Sequence, residues 1–304
     1  MTIALPAAPS RSTWRWARLA ATGATLAFLV WRLGTGPFID GLRTVDAAAL
    51  AAAVGLAVLT TVCCAWRWRI VAGGLGDDLP MGPAVASYYR SLFLNVTLPG
   101  GVVGDVHRGL NHGLRAVAWE RSAGQFVQIV LTVAVLLVVP SPVRSAMPLV
   151  AVALLAAVAA VAVAVAARVR PDAARSRWAR VRNAAVRDVR RGLLAGRAWP
   201  AIVLASALVV AGHVATFLIA ARTAGATVPP SRMVPLVLLV LLAAALPNIG
   251  GWGPREGVTA WAFSAAGLGA SLGVATAVVY GVMVFVASLP GAAVLVVAWV
   301  RRHA

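Results

Sequence analysis

Apolar stretches separated by short, arginine-bearing intervals run the length of the chain. Stretches close to or above the roughly 18 to 20 residues that cross about 30 Å of hydrocarbon lie at 17–34, 46–66, 122–140, 146–167, 200–221 and 272–300, and each predicts a full membrane span. Two further stretches depart from that pattern. One, about 82–98, ends at Leu98-Pro99-Gly100-Gly101 and returns through Asp105, Arg108 and Arg115. The other, about 233–246, ends at Leu246-Pro247, passes Gly250-Gly251-Trp252-Gly253-Pro254-Arg255-Glu256 and returns to about Gly267. Each is too short to cross comfortably and is broken by proline and glycine, which predicts re-entrant or discontinuous helices lining a cavity. Two ordinary spans joined by turns outside the membrane are the plainer alternative.

The expected fold class is therefore all-α, a polytopic membrane protein with about six full transmembrane helices plus two broken re-entrant helix pairs. Three crossings and a broken hairpin make up the first half, and the same order returns about 148 residues later. Three is odd, so the second copy starts from the opposite face, which is the inverted-repeat plan of many transporters. The expected organisation is a single integral membrane domain over 1–304, with a first inverted repeat at 1–140, a second at 146–304, and a basic cytoplasmic connector at 168–199. In this arrangement the two Leu-Pro-glycine tips enter from opposite faces and meet near the midplane.

Composition agrees: 61% hydrophobic residues, 12% charged residues and a mean hydropathy of +0.87 do not fit a water-soluble domain, where roughly 25% of residues are charged. The longest polar interval, Arg168 to Arg197, leaves no room for a soluble catalytic domain. The net charge of +18 comes from arginine, with no lysine. The arginines cluster between spans rather than on one domain face, which argues against a nucleic-acid partner. They report topology instead, because cytoplasmic loops retain them. The N-terminus with Arg11, Arg15 and Arg18, the turn with Arg67 and Arg69, the interval with Arg115 and Arg121, and the end with Arg301 and Arg302 all count as inside. So does 168–197, whose ten arginines against Asp172 and Asp188 give a net of +8. Arg222 and Arg232 are the exceptions. Both termini are expected in the cytoplasm and the chain in the inner membrane. The first basic and apolar segment reads as a retained span, because no small-residue cleavage pattern precedes Trp31-Arg32. Within the connector, Trp178, Val181, Ala185 and Val189 recur at helical spacing among arginines, the pattern of an amphipathic helix on the cytoplasmic leaflet; a solvated basic linker fits almost as well.

Charges at bilayer depth are costly unless paired or hydrated, so they tend to mark pathways. Asp105, Arg108, Arg255 and Glu256 give each tip one acid and one base, able to neutralise each other at rest and to release the arginine to a lipid phosphate. Gly100, Gly101 and Gly104, with Gly250, Gly251 and Gly253, let backbone amides approach a ligand. Pro99 and Pro247 end the incoming helices. Asn95 belongs to the same candidate substrate site, and Tyr88, Arg90, Gln125 and Gln128 are secondary cavity candidates. Interfacial turns held by salt bridges are the structural reading of the same residues. His213, alone in an apolar span, reads as a packed polar residue, and Cys63 and Cys64 as small packing residues. His107 and His112 lack metal-site spacing, and Asp78 reads as a helix N-cap before Leu79-Pro80. No metal and no cofactor are expected.

At the two tips the chain resembles the transmembrane, flippase-like family of lysylphosphatidylglycerol synthases. The likeness is carried by Asn95-Val96-Thr97-Leu98-Pro99-Gly100-Gly101-Val102-Val103-Gly104-Asp105-Val106-His107-Arg108 and by Leu246-Pro247-Asn248-Ile249-Gly250-Gly251-Trp252-Gly253-Pro254-Arg255-Glu256-Gly257, and it extends over most of the chain, including Glu120-Arg121. Val103, where a further glycine is typical, and Asn248 depart from the family pattern. The resemblance implies an all-helical inverted repeat that moves or accommodates lipids. No acyltransferase-like domain follows Arg302, so aminoacyl transfer is not expected. The leading functional expectation is a lipid flippase whose partners are lipids with anionic or zwitterionic headgroups. The rivals are a glycosyl- or phosphotransferase acting on a polyprenyl phosphate, with Asp77, Asp78 or Asp105 as its acidic centre, and a non-transporting partner of a lipid-modifying enzyme. An oligomer is left open.

Overall fold

A computed structural model describes residues 31, 39, 43–98, 103–166, 177–196, 198–244 and 253–303. Ten α-helices and no strand occur among them: α1 (Ala47–Leu75), α2 (Met81–Thr97), α3 (Val103–His112), α4 (Leu114–Val138), α5 (Met147–Ala166), α6 (Arg177–Asp188), α7 (Ala198–Thr223), α8 (Pro230–Ala244), α9 (Pro254–Ala265) and α10 (Ala270–His303). A 3₁₀ turn (Arg144–Ala146) precedes α5, and a π-helical turn (Val189–Leu193) follows α6. Among the described residues, α1, α4, α7 and most of α10 are long and apolar enough to cross a membrane. The 20 residues of α5 carry no charge, and Leu149, Val152, Leu155 and Val163 stand exposed along it. That surface makes sense with lipid as its solvent. The expected first span at 17–34 lies outside the described residues.

Local chemistry sets the ends of α1. Asp46 caps its start by accepting from Ala49 N at 2.6 Å, and Gly76 closes it in the left-handed conformation at φ +99°. At 29 residues α1 rises about 43 Å and runs well past the expected end at residue 66. Arg67 is therefore not a loop residue reporting sidedness: it lies inside the helix and is only 4% exposed. The fourth helix likewise starts eight residues before its expected position, carrying Glu120 and Arg121 inside it. Both corrections have one cause. These charges find partners within the protein, so the helices continue through them. Asp78 does not cap α2; Pro80 occupies the N-cap position and makes no side-chain cap bond.

The four helices of the two broken pairs are short. Over their described residues α2, α3, α8 and α9 have 17, 10, 15 and 12 residues and rise about 25, 15, 22 and 18 Å, against roughly 30 Å for the hydrocarbon layer. Within each pair the return helix packs against the incoming one. Packing among the long and broken helices is symmetric under exchange of the halves. The contacts of α1 with α2, α4 and α10 have counterparts in those of α7 with α8, α10 and α4; α2–α3, α3–α4 and α2–α10 correspond to α8–α9, α9–α10 and α8–α4; and α1 packs directly on α7.

Small residues set the closest approaches. A Cβ at Gly291, beside Pro290 in α10, would lie 2.1 Å from the Tyr89 carbonyl oxygen of α2, whereas one at Gly55 of α1 would meet nothing within 4 Å. Gly291→Ala is therefore expected to cost about 1–3 kcal/mol by overpacking. Gly55→Ala should leave stability unchanged or raise it by up to about 1 kcal/mol, with thermal unfolding in detergent as the measurement for both.

The π-helical turn fits under the end of α1, where a Cβ at Gly74 would lie 2.5 Å from the Arg191 carbonyl oxygen. Asp188, at the end of α6, holds the turn to α4 by accepting from Arg115 Nε and Trp119 Nε1, each at 3.0 Å. Burial raises the Asp188 carboxyl, but these two donors outweigh it and hold it below the ordinary range. A lowered folded value means that the bond contributes fully above the unfolded value of about 3.9 and is lost as pH falls through the folded one. Spin labels at Ala195 and Leu114 should keep their distance from about pH 8 down to about pH 4 and separate only as the pH falls further, through the lowered folded value, and Asp188→Asn should separate them at neutral pH.

Candidate functional site

Arg67, from the buried face of α1, anchors a network of charged and polar side chains that five helices share. It donates from Nε to Glu120 Oε1 of α4 at 3.0 Å and from Nη1 to Ser206 Oγ of α7 at 2.9 Å. The room for its guanidinium comes from Gly124, where a Cβ would lie 2.7 Å from the Arg67 guanidinium. Glu120 has no exposure at all. Its Oε1 also accepts from Tyr88 Oη at 3.2 Å, and its Oε2 accepts from Arg108 Nη2 of α3 at 3.0 Å. One carboxylate thus balances guanidinium groups from two helices.

Arg108 is 1% exposed and lies between two aromatic faces, 4.5 Å from the Trp68 ring centroid and 4.2 Å from that of Tyr88. Its Nε and Nη1 have no hydrogen-bond acceptor, so the rings supply much of the compensation for its charge. The same Nη2 reaches Asp105 Oδ1 at 3.1 Å. Asp105 also accepts from Arg121 Nη2 at 2.8 Å, Ser91 Oγ at 3.0 Å and Asn95 Nδ2 at 3.0 Å. Asn95 completes a two-way clasp between α2 and α3, because its Oδ1 accepts from Gly104 N at 2.8 Å. Gly104 permits that approach: a Cβ there would lie 2.1 Å from the Ser91 carbonyl oxygen.

The cluster does not balance. Arg67, Arg108 and Arg121 bring three positive charges and Asp105 and Glu120 two negative ones, a net of +1. The excess has an outlet. Arg67, Tyr88 and Arg121 line a cavity of about 190 Å³ together with Gln125, Gln128, Ser206 and His213, and 41% of the Arg121 side chain is exposed. Polar walls with an unbalanced cation suit an anion that arrives with its own hydration partly removed.

The second charged tip is a separate, neutral unit. Pro254 opens α9, and Glu256 accepts from Gly253 N at 2.6 Å, the reverse half of a capping box. Gly253 takes φ +120°, a conformation that favours glycine. Arg255 Nε donates to the same carboxylate at 2.8 Å, and a second bond runs from its Nη2. The Arg255 guanidinium lies 5.3 Å from the Tyr280 ring centroid, and the Tyr280 hydroxyl lies 3.4 Å from His213 Nδ1 at the cavity wall. Contacts thus run from Arg255 through Tyr280 to His213 at the cavity wall, while Asp105 takes its cations from Arg108 and Arg121.

Of the residues singled out in the sequence, Asn95, Gly104, Asp105 and Arg108 come together, Gly253, Arg255 and Glu256 form the second unit, and Tyr88, Gln125 and Gln128 face the cavity. Arg90 is half-buried and is not among the cavity's lining residues. Pro99, Gly100, Gly101, Pro247 and Gly250 lie outside the described residues. Sequence reasoning passed over Arg67, Glu120, Arg121 and Ser206 as site residues and took His213 for packing. The available signal was the apolar pattern continuing beyond Arg67 to Val71 and Ala72, which places that arginine within a helix instead of after it.

Glu120→Gln leaves buried guanidinium groups undercompensated and is expected to cost about 3–5 kcal/mol. Arg121→Gln, at the cavity wall, should cost about 1 kcal/mol or less, and thermal unfolding of the two variants in detergent compares them. The family model described as Lysylphosphatidylglycerol synthase TM region matches residues 15–291. No curated protein matches the chain.

Proposed function

This chain belongs to the lysylphosphatidylglycerol synthase TM region family, and from that premise we propose that it translocates a phospholipid or related polar lipid across the membrane. The observation that carries the reading is the net +1 cluster beside a cavity at the junction of α1, α2, α4, α7 and α10. In a lipid solvent an uncompensated guanidinium is costly, and a headgroup phosphate entering the cavity supplies the missing charge. Arg121 and Arg67 hold the phosphate; Asp105, Arg108, Glu120 and Asn95 position them. The unpaired excess makes binding favourable, while the local carboxylates take the arginines back on release.

The symmetric packing of the two halves supports an inverted repeat, and the short paired helices support re-entry at the Pro99 and Pro247 tips. On this reading the Arg255–Glu256 pair is the counterpart element in the second half and reports to the cavity through Tyr280 and His213. The ten arginines of the interval 168–197, with Arg301 and Arg302 at the end of α10, support an inner-membrane location with both termini cytoplasmic.

Proteoliposomes containing acyl-chain-labelled phospholipids test this through the rate at which label becomes accessible to an external quencher. The parent protein is expected to speed exchange over protein-free vesicles. Arg121→Gln should slow it by about tenfold or more, equivalent to about 1.4 kcal/mol of lost interaction, and Arg255→Ala should slow it by less. Exchange no faster than in empty vesicles would refute translocation, and equal rates for parent and Arg121→Gln would remove the assigned site.

A further inference from the structure

The basic connector is fastened to the bundle in a way that its composition does not require. Its π-helical turn packs on α1, α4 and α7, and single π turns recur at functional positions. Gly74 and Gly192 bring it onto the end of α1: a Cβ at Gly74 would lie 2.7 Å from the Gly192 Cα, and one at Gly192 would lie 3.3 Å from Leu75 Cδ2. On α4 the fastening is Asp188, held by Arg115 and by Trp119, which directly precedes Glu120. The connector thus braces the two helices that carry Arg67 and Glu120.

The brace lies where α1 ends and where α7, a candidate span, begins, with residues 194–197 between the turn and α7. Residues 177–196 hold six arginines and a single carboxylate, Asp188, which is buried; their net charge is +5. Arg187 and Arg191 are exposed, as are Leu194 and Trp199. Exposed cations beside an exposed tryptophan at the start of a span fit the headgroup layer, where anionic lipids attract arginine and tryptophan rings settle. We propose that the end of α6 and the π turn dock on anionic headgroups of the leaflet at which α7 begins, and that this contact holds the connector against α1 and α4. Arginines this close repel one another, and anionic headgroups relieve that repulsion in the docked position. A lipid surface suits the patch better than an acidic protein, because so short a tether to a span keeps it at headgroup level. The docking lipids lie outside the bundle and apart from the cavity, so the inference is independent of translocation.

The test uses the full chain with spin labels at Gly73 and Ala195, which read the connector against α1, and at Gly73 and Leu114, which read α1 against α4. All three positions are exposed, and a Cβ at Gly73 meets nothing within 4 Å. Distances are measured in nanodiscs of phosphatidylcholine with and without phosphatidylserine. The expected result is a narrow distribution for both pairs with phosphatidylserine and a broader one for both without it. With phosphatidylserine present, Arg187→Gln/Arg191→Gln should broaden both distributions. Arg187→Lys/Arg191→Lys should match the parent, because attraction to a charged surface needs the charge and not the guanidinium fork. Thermal unfolding in detergent checks that both variants fold, and the comparison of the parent across the two lipid compositions stands without either of them. Identical parent distributions in the two compositions overturn the inference, and so does a lysine variant that behaves like the glutamine one. Narrowing by soluble polyglutamate but not by phosphatidylserine overturns the lipid assignment in favour of an acidic protein.

Discussion

Glu120 is the residue on which the arrangement turns. A carboxylate with no exposure, at the depth of an apolar bundle, is tolerable only when cations and donors surround it, and Glu120 obtains them from α1 (Arg67), α2 (Tyr88) and α3 (Arg108). The position of each helix is thereby fixed to within hydrogen-bond reach of one side chain. Around it the small residues follow: Gly124 admits the Arg67 guanidinium and Gly104 lets α3 lie on α2. Charge and close packing are one constraint here, because the ion pairs form only if the helices approach, and the helices approach where glycine permits it.

The packing of the two halves is symmetric, but their chemistry is not. In the first half the broken pair α2–α3 carries Asp105 and Arg108 into a network with α1 and α4 and leaves one positive charge in excess. In the second half α9 pairs Arg255 with Glu256 at its own N-terminus and is balanced within itself. A scaffold of two similarly packed halves thus presents a charge-demanding wall from one half only. In our reading the first half binds the phosphate and the second senses it, through the contact of Arg255 with Tyr280 and of Tyr280 with His213.

Local features of the sequence sufficed for the all-helical class, most spans and the two interruptions, and they singled out Asn95, Gly104, Asp105 and Arg108, which the structure places in contact with one another. Apolar length, proline and glycine act within a few residues, so a linear reading captures them. The amphipathic helix in the basic connector was legible for the same reason, since its spacing is local. Membrane topology counting, by contrast, read the arginines next to apolar stretches, Arg67 and Arg121 among them, as markers of sidedness. It assigned Arg67 and Arg121 to the aqueous face, and that error hid the centre of the site.

What only the tertiary structure decided is which charges meet. Arg67 and Glu120 are 53 residues apart, and Arg67 and Ser206 are 139 apart, and nothing in the neighbourhood of any of the three encodes the pairing. By itself the sequence determined that lipid is the solvent and where the helices break, because hydropathy and backbone restriction are properties of short segments. The assembled bundle determined that Arg67, Arg108 and Arg121 share two carboxylates and leave one cation facing a cavity, because electrostatic neutrality is a sum over groups that only folding brings together.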